Sequence, residues 1–451
     1  MTPVVHDRPV NEVPYTLEEP APKVLSFWDQ SAFWANLGVS LLAFTGAYTV
    51  LAPDGNGKAQ LSIEAGIVAM IVGTVVGGLM LGLAAVPGAR TGAPAMVLLR
   101  GLFGARLSYV PTALNIAQLV GWGTFELITI AGAAKEVFAV GPAWLHGPRW
   151  LFVIMAGLLT TLLTIWPLGS VRLLRRFVTV AVVISLGYFY VQFLRQGLPD
   201  LGQGSWNKFW VGADAALAVS ISWVPVAADY TRHSRSTRAA FGAASVAYSV
   251  TQIVAYVLGL FALALATTDN LYTPFLHVAL GAVFLGIFVL REVDQSFANV
   301  YSTAVSVQNL FPRWDRRILT IGLGALITGA ALTLKDMNSY FGFLGLIGSV
   351  FVPMLGVLVA AFFLLGRGRE WNLGRTAPSR WGMIAAWVIG FATYQLIRPS
   401  DIGWWSTGWT KVQGWVHFTP ADWMSASLLS FAVAVLAAFV IGILARRRSE
   451  R

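Results

Sequence analysis

Three acidic side chains stand where acids are costly. Glu292 and Asp294 follow Arg291 inside the apolar run 285–299, and Glu126 lies inside the apolar run 119–130. The chain has a mean hydropathy of +0.67 and only 12% charged residues, the composition of a bilayer protein. A charge at the bilayer centre costs about 2.5–3.5 kcal/mol on insertion scales, so it persists mainly where it faces a cavity, an ion or a substrate. Gln118, Trp122 and Glu126 are spaced i, i+4, i+8 and share one helix face. An indole offers a flat stacking surface, and a carboxylate accepts N–H bonds from a planar heterocycle or holds a proton. Glu292, Gln295, Ser296, Asn299 and Thr303 form a second polar stripe, with Asp294 beside it near Ala298 and Tyr301. Carboxylate, amide and hydroxyl oxygens are hard donors that suit Na⁺, whereas carboxylates alone suffice for H⁺. The plainer alternatives are a Trp at a helix seam, a Glu paired with a neighbouring polar group, and an internal ion pair of Arg291 with Glu292 or Asp294. In the string 228–233, Asp229 and Arg232 are either a gate ion pair or a solvated charge cluster at a helix end.

Helices must position these groups, because a helix satisfies its own backbone in lipid. Twelve spans are expected at about 31–52, 61–85, 111–138, 149–167, 173–194, 211–230, 241–266, 278–305, 318–334, 341–365, 382–397 and 424–444. Residues 1–26 are polar and Pro-rich and read as a flexible cytoplasmic tail. They lack the basic start and short apolar core of a signal peptide. Residues 446–451 read as a second short tail.

Of 31 Lys and Arg, 22 fall in alternate loops or the tails, 8 fall on the opposite side and Arg291 lies within a span. The basic side includes Arg90, Arg175, Arg235, Arg316 and Arg375. By the positive-inside rule both termini are cytoplasmic, and residues 54–60 and 399–420 are external. The net charge of +10 follows from this rule. Its spread over separate loops disfavours nucleic acid as a partner. The chain has no cysteine, no Walker A motif and no H-E-x-x-H, which disfavours thiol chemistry, an ATP-driven pump and a zinc protease. No enzyme activity is expected.

Two short strings hint at a repeat. Helix 1 reads Asn36-Leu37-Gly38-Val39-Ser40-Leu41-Leu42, and helix 6 reads Ala216-Leu217-Ala218-Val219-Ser220-Ile221-Ser222. An offset of five spans is what an inverted five-helix repeat requires. Gly38 and Gly46 in the first and Pro225 near the second are helix breakers. Hydroxyls and glycines at mid-depth suit an unwound joint whose carbonyls hold a cation, or else simply permit close helix packing.

The chain resembles the first nucleobase:cation symporter family, the purine/cytosine permease group. The resemblance rests on Gly88-Ala89-Arg90-Thr91-Gly92-Ala93-Pro94-Ala95, Gly121-Trp122-Gly123-Thr124-Phe125-Glu126, Ala228-Asp229-Tyr230-Thr231-Arg232 and Phe297-Ala298-Asn299-Val300-Tyr301-Ser302. It implies an all-α polytopic fold of the LeuT-like type. Two inverted repeats cover 27–200 and 201–366, and two further helices lie in 367–445. It also implies uptake of a nucleobase or related ring by alternating access across the plasma membrane, coupled to Na⁺ or H⁺ and without a cofactor. By the same resemblance, substrate contacts fall on Ser40, Trp122, Glu126 and Asn299. The ring-stacking position falls on Ser220, which cannot stack, leaving Trp223 or Phe44 as substitutes. The cation position falls on Asn36, Val39, Leu290, Val293 and Asp294, where Val293 and Asp294 replace a hydroxyl pair. An acidic Glu126 favours a ring rich in N–H donors, such as an aminopyrimidine like cytosine. The hydroxymethylpyrimidine, purine and allantoin transporters are alternatives within the family. An amino-acid symporter of the same fold and a non-transporting receptor are alternatives outside it.

Overall fold

A computed structural model describes residues 12–53, 58–197, 205–265, 272–334, 339–366 and 371–449. Arg8, Lys335, Arg367, Arg369 and Arg451, used above for orientation, lie outside these residues, as does Glu450; the rest of the expected 446–451 tail, residues 446–449, continues the last helix.

Each of the twelve expected spans is helical. The first is α1 (Phe27–Gly38) followed by α2 (Leu41–Val50), bent by 57°. Ser26 starts α1 with a reciprocal capping box: its hydroxyl accepts from the Asp29 amide, and its own amide donates to Asp29. At Val39 and Ser40 the backbone is extended. The Ser40 hydroxyl then caps α2 by accepting from the Leu42 amide at 3.0 Å. Next come α3 (Ile63–Thr91), a short α4 (Ala95–Phe103), α5 (Tyr109–Ala139), α6 (Arg149–Ile165) and α7 (Pro167–Arg195).

The sixth span, five spans after the first, is interrupted more mildly, without extended residues and within one continuous span. α8 (Phe209–Ser222) gives way to a tight turn over Val224–Val226 around Pro225, and α9 (Ala227–Thr231) completes it. Proline has no N–H to continue the ladder, which fixes the break there. α10 (Thr237–Gly242) and α11 (Tyr248–Leu265) form one span through a wider π-type turn at Ala243–Ala247. A short α12 (Thr273–Leu276) precedes α13 (Gly281–Leu310), which stays unbroken across Arg291, Glu292 and Asp294. α14 (Arg316–Thr333), α15 (Ser339–Val359), α16 (Trp381–Ile397) and α18 (Ala426–Ser449) carry the remaining spans. Between the last two lies α17 (Gly403–Trp415), whose exposed Trp404 and Trp415 suit a membrane interface. Among the described residues eight helices are long and apolar enough to cross a membrane singly, and the bent α1–α2 pair makes nine. α6 and α16 are apolar but only 17 residues each, and α13 carries the polar stripe.

Two packing pairs hold the site. α5 lies along α13, and α3 lies along α8 and α9. The second pair needs glycine. A Cβ on Gly77 would sit 2.6 Å from the Ser220 Cβ, and one on Gly88 would sit 2.6 Å from the Ala228 Cα. α15, α16 and α18 pack on one another to one side.

The N-terminal segment departs from the flexible tail expected for residues 1–26. Residues 1–11 lie outside the described part, but residues 12–26 are docked. Glu12 is buried and accepts from the amides of Leu168 and Gly169, both at 2.9 Å, capping an α7 start that has no side-chain cap of its own. The Tyr15 carbonyl takes the Arg316 amide and the Gln308 side chain. Leu25 exchanges backbone bonds with His233 and Arg235, and Lys23 reaches the Ala89 carbonyl. The buried polar groups of this stretch are spent on other chain segments, while Glu18, Glu19 and Lys23 are exposed.

Glu12→Ala strands the buried Leu168 amide, at a cost of about 1–3 kcal/mol, and also the part-buried Gly169 amide. A lowered thermal-unfolding midpoint is therefore expected. Glu18→Ala, which loses only an exposed pair with Arg313, should leave the midpoint unchanged.

Candidate functional site: a broken helix and an aromatic slot

The first span's break is closed by side chains from α13. Glu292 accepts from the Ser40 hydroxyl at 2.6 Å and from the Leu41 amide at 3.0 Å. That is the free amide end of α2, where a carboxylate is favoured. Arg291 donates to Glu292 at 3.2 Å, to the Gln295 side-chain carbonyl at 2.7 Å, and to the Asn36 carbonyl at the free carbonyl end of α1. Arg291 is 1% exposed and Glu292 is 0% exposed. The sequence left open which acid pairs with Arg291; it is Glu292.

This arrangement corrects the oxygen set expected for a cation. The Asn36 carbonyl already accepts from Arg291 and from the Val39 amide, and the Asn36 side chain donates to Thr179. The carbonyls of Leu290 and Val293 belong to an unbroken helical ladder, and the Leu290 side chain points outward, 65% exposed. Asp294 is buried, with Oδ1 lacking a hydrogen-bond partner. The five residues do not form one open site.

A narrow cavity of ≈ 20 Å³ lies beside the break. That is room for about one water. Trp122 and Glu126 of α5, Trp223 at the second break and Asn299 of α13 line it, with Ser40 at its edge. Glu126 accepts from the Asn299 side chain at 2.8 Å, and Gln295 lies within reach of the same carboxylate. Gln295 thus connects Glu126 to Arg291. Opposite, Gln252 of α11 reaches the cavity with its buried side-chain nitrogen unpartnered. Gln252 went unnoticed in the sequence, although Tyr248, Ser249, Gln252 and Tyr256 share one buried face of α11 and could have marked it.

Three expected contacts are not on the cavity. Gln118 donates to Asn115 at 2.7 Å and lies deeper along α5. Phe44 stacks on Phe275 with ring centres 5.2 Å apart and meets Phe288 edge-on. Ser220 packs towards Gly77 of α3. Of the two substitutes for the stacking position, Trp223 reaches the cavity and Phe44 does not.

Below the cavity, towards the docked N-terminal segment, the path is sealed. Phe33, Trp34 and Tyr230 contact one another, and Tyr230 donates to the Ala298 carbonyl at 2.8 Å. Asp229 and Arg232 are both buried, so they are no solvated cluster. They are also not paired with each other. Asp229 accepts from the Ala95 amide at the start of α4, and Arg232 donates to the Tyr301 hydroxyl. Each ties the end of the sixth span to a different element.

Residues 23–395 match the family model described as permease for cytosine/purines, uracil, thiamine, allantoin. The chain belongs to this family. It is a multi-pass membrane permease, not an enzyme. The cytosine permease of Escherichia coli (strain K12) is 23% identical over 342 residues, 74% of this chain and 78% of that protein. Among solved structures, the permease matches MHP1, a nucleobase-cation-symport-1 family transporter in a closed conformation with bromovinylhydantoin bound. The TM-score is 0.73 at 16% identity, covering 98% and 95% of the two chains. A Na⁺-coupled sialic acid symporter matches with a TM-score of 0.59 at 12% identity, covering 94% and 90%. The fold is LeuT-like, as the resemblance implied.

Glu292→Gln leaves the Arg291 charge buried without its counter-charge. Removing one partner of a buried pair costs about 3–5 kcal/mol. The expected result is a large fall in the thermal midpoint of the purified permease. Changing Arg291 and Glu292 to Gln together should cost less than the sum of the single changes.

Proposed function

We propose that the permease imports a nucleobase-like ring, best an aminopyrimidine such as cytosine, by cation symport with alternating access. The observation that carries this reading is the slot between Trp122 and Trp223, with an acceptor, Glu126, at one place and a spare donor, Gln252, at another. A planar ring with both N–H donors and a ring acceptor uses all four. The cytosine permease relative and the hydantoin bound to MHP1 point to the same chemical class. The present cavity is too small for such a ring, which suits a site that opens and closes in a transport cycle. An amino-acid substrate suits it less. Its carboxylate would meet Glu126 and an α2 start already neutralised by Glu292.

In this reading 27–200 and 201–366 are the two repeats that carry the paired breaks. Asp294 is where the coupling cation, Na⁺ or H⁺, acts, because a buried carboxylate oxygen with no partner favours a bound cation or proton. Both termini are cytoplasmic in the plasma membrane. The docked N-terminal segment supports this, since it contacts the arginine-bearing loops at Arg235 and Arg313–Arg316.

Three measurements test the reading. Glu126→Gln should weaken substrate binding by about 1.5–3 kcal/mol, roughly ten- to a hundredfold, with a comparable loss for Trp122→Ala. Unchanged affinity in both variants rejects the slot. Asp294→Asn should abolish accumulation against a gradient while substrate exchange persists in part; normal ion-driven accumulation would make Asp294 merely structural. A cysteine introduced at Arg235 should resist an impermeant reagent added outside intact cells, and labelling there would reverse the topology.

A further inference from the structure

The break in the first span leaves two unlike ends close together. α2 begins with free amides, which Glu292 meets. α1 ends with carbonyls that have no next turn, since the chain is extended at Val39. The carbonyl end of a half-helix carries partial negative charge, and unwound carbonyls at mid-membrane are places where a cation settles. In this chain the positive charge at that end is covalent. The Arg291 guanidinium, fully buried, donates to the Asn36 carbonyl with one nitrogen and to Glu292 and Gln295 with another.

We infer that Arg291 is the resident cation of the helix break, so that the permease needs no metal ion to hold the break together or to bind its substrate. This deepens the transport reading and rests on it only for the break being part of the substrate site. The charge count agrees. One arginine and one glutamate make the break neutral, and a metal ion added beside the guanidinium would be a like charge at contact distance. The nearby oxygens are also engaged. The Ser40 hydroxyl is bonded to Glu292, the Asn36 side chain to Thr179, and the Asn36 carbonyl to Arg291. Gln295 extends the arrangement to Glu126, so the tethered cation stands one side chain away from the ring's acceptor.

The test needs no transported ring, so an error in substrate class leaves it intact. Purified permease is titrated with radioactive Na⁺ in choline buffer. Na⁺ held at Asp294, the coupling position of the transport reading, would bind whatever Arg291 does, so the titration that decides is made on Asp294→Asn protein, and Arg291→Ala is made in the same background. No saturable binding is expected for Asp294→Asn; saturable binding there overturns the inference. Arg291→Ala would leave the Glu292 carboxylate, the Ser40 hydroxyl and the Asn36 carbonyl around a gap, an oxygen set that suits a hard cation. That variant should acquire saturable Na⁺ binding and a thermal midpoint that rises with Na⁺. A folded Arg291→Ala protein that gains neither overturns the claim that the guanidinium occupies a cation position. Should the variant not fold, the Asp294→Asn titration decides alone. With a transported ring in hand, binding by Asp294→Asn protein in choline should equal that in Na⁺, and a loss of about tenfold or more on removing Na⁺ overturns the inference.

Discussion

Arg291 and Glu292 are neighbours in sequence and meet opposite electrical ends of one broken helix. The break sets an anionic need at the start of α2 and a cationic need at the end of α1. Two consecutive residues on an unbroken helix answer both. Because α13 is continuous through this point, the positions of α1 and α2 are referenced to a rigid rod rather than to a loop. Every other feature of the site takes its place from this contact. α5 runs along α13 and brings Trp122 and Glu126 to the cavity, and Asn299, two turns along α13 from Glu292, fixes the Glu126 carboxylate.

The same contact joins the cavity acid and the helix break in one hydrogen-bonded set. Glu126 is tied to Asn299 and lies in reach of Gln295; Gln295 is bonded to Arg291; Arg291 is bonded to Asn36. A ring that claims Glu126 must alter what Gln295 and Asn299 do, and Gln295 shares its other end with the guanidinium. Networks of this kind are costly when only partly satisfied, so they favour a few discrete arrangements over a continuum. That property is what a gate requires.

Much of this was legible in sequence. The two breaks follow from Gly38, Ser40 and Pro225, and the three buried acids mark α5 and α13, the helices that meet at the cavity and the first break. The errors have geometric causes. Gln118 shares a face with Trp122 and Glu126 by spacing, yet each four-residue step turns an α-helix by roughly 40°, so two steps carry Gln118 off the cavity. Phe44 stands four residues after Ser40, but Ser40 is an extended cap outside α2, so that spacing does not place the two on one face. Leu42 and Ala43 line the cavity instead. The docking of Glu12 on α7 and of Asp229 on α4 joins residues more than 130 positions apart. No local pattern encodes such contacts; they are visible only once the repeats are folded.

The two ends of the pathway are unequally closed, and the inequality has a physical source. Beyond the far end of α2, a cavity of ≈ 470 Å³ is lined by charged groups, among them Asp214, Arg398 and Asp401. Asp214 is buried there and accepts from the Ser425 hydroxyl at 2.6 Å and the Ala426 amide at 2.8 Å, while Arg398 donates to the Val211 carbonyl at 3.2 Å. At the other end the charged groups are buried as well. Asp229, Arg232 and Arg316 each spend their charge on a backbone or hydroxyl partner, and the chain from Glu12 to Leu25 covers them. Opening that side must expose or re-pair each of these groups and release the docked segment. The docked N-terminal segment is thus held on this side by polar contacts, several of them buried, and not by apolar packing alone.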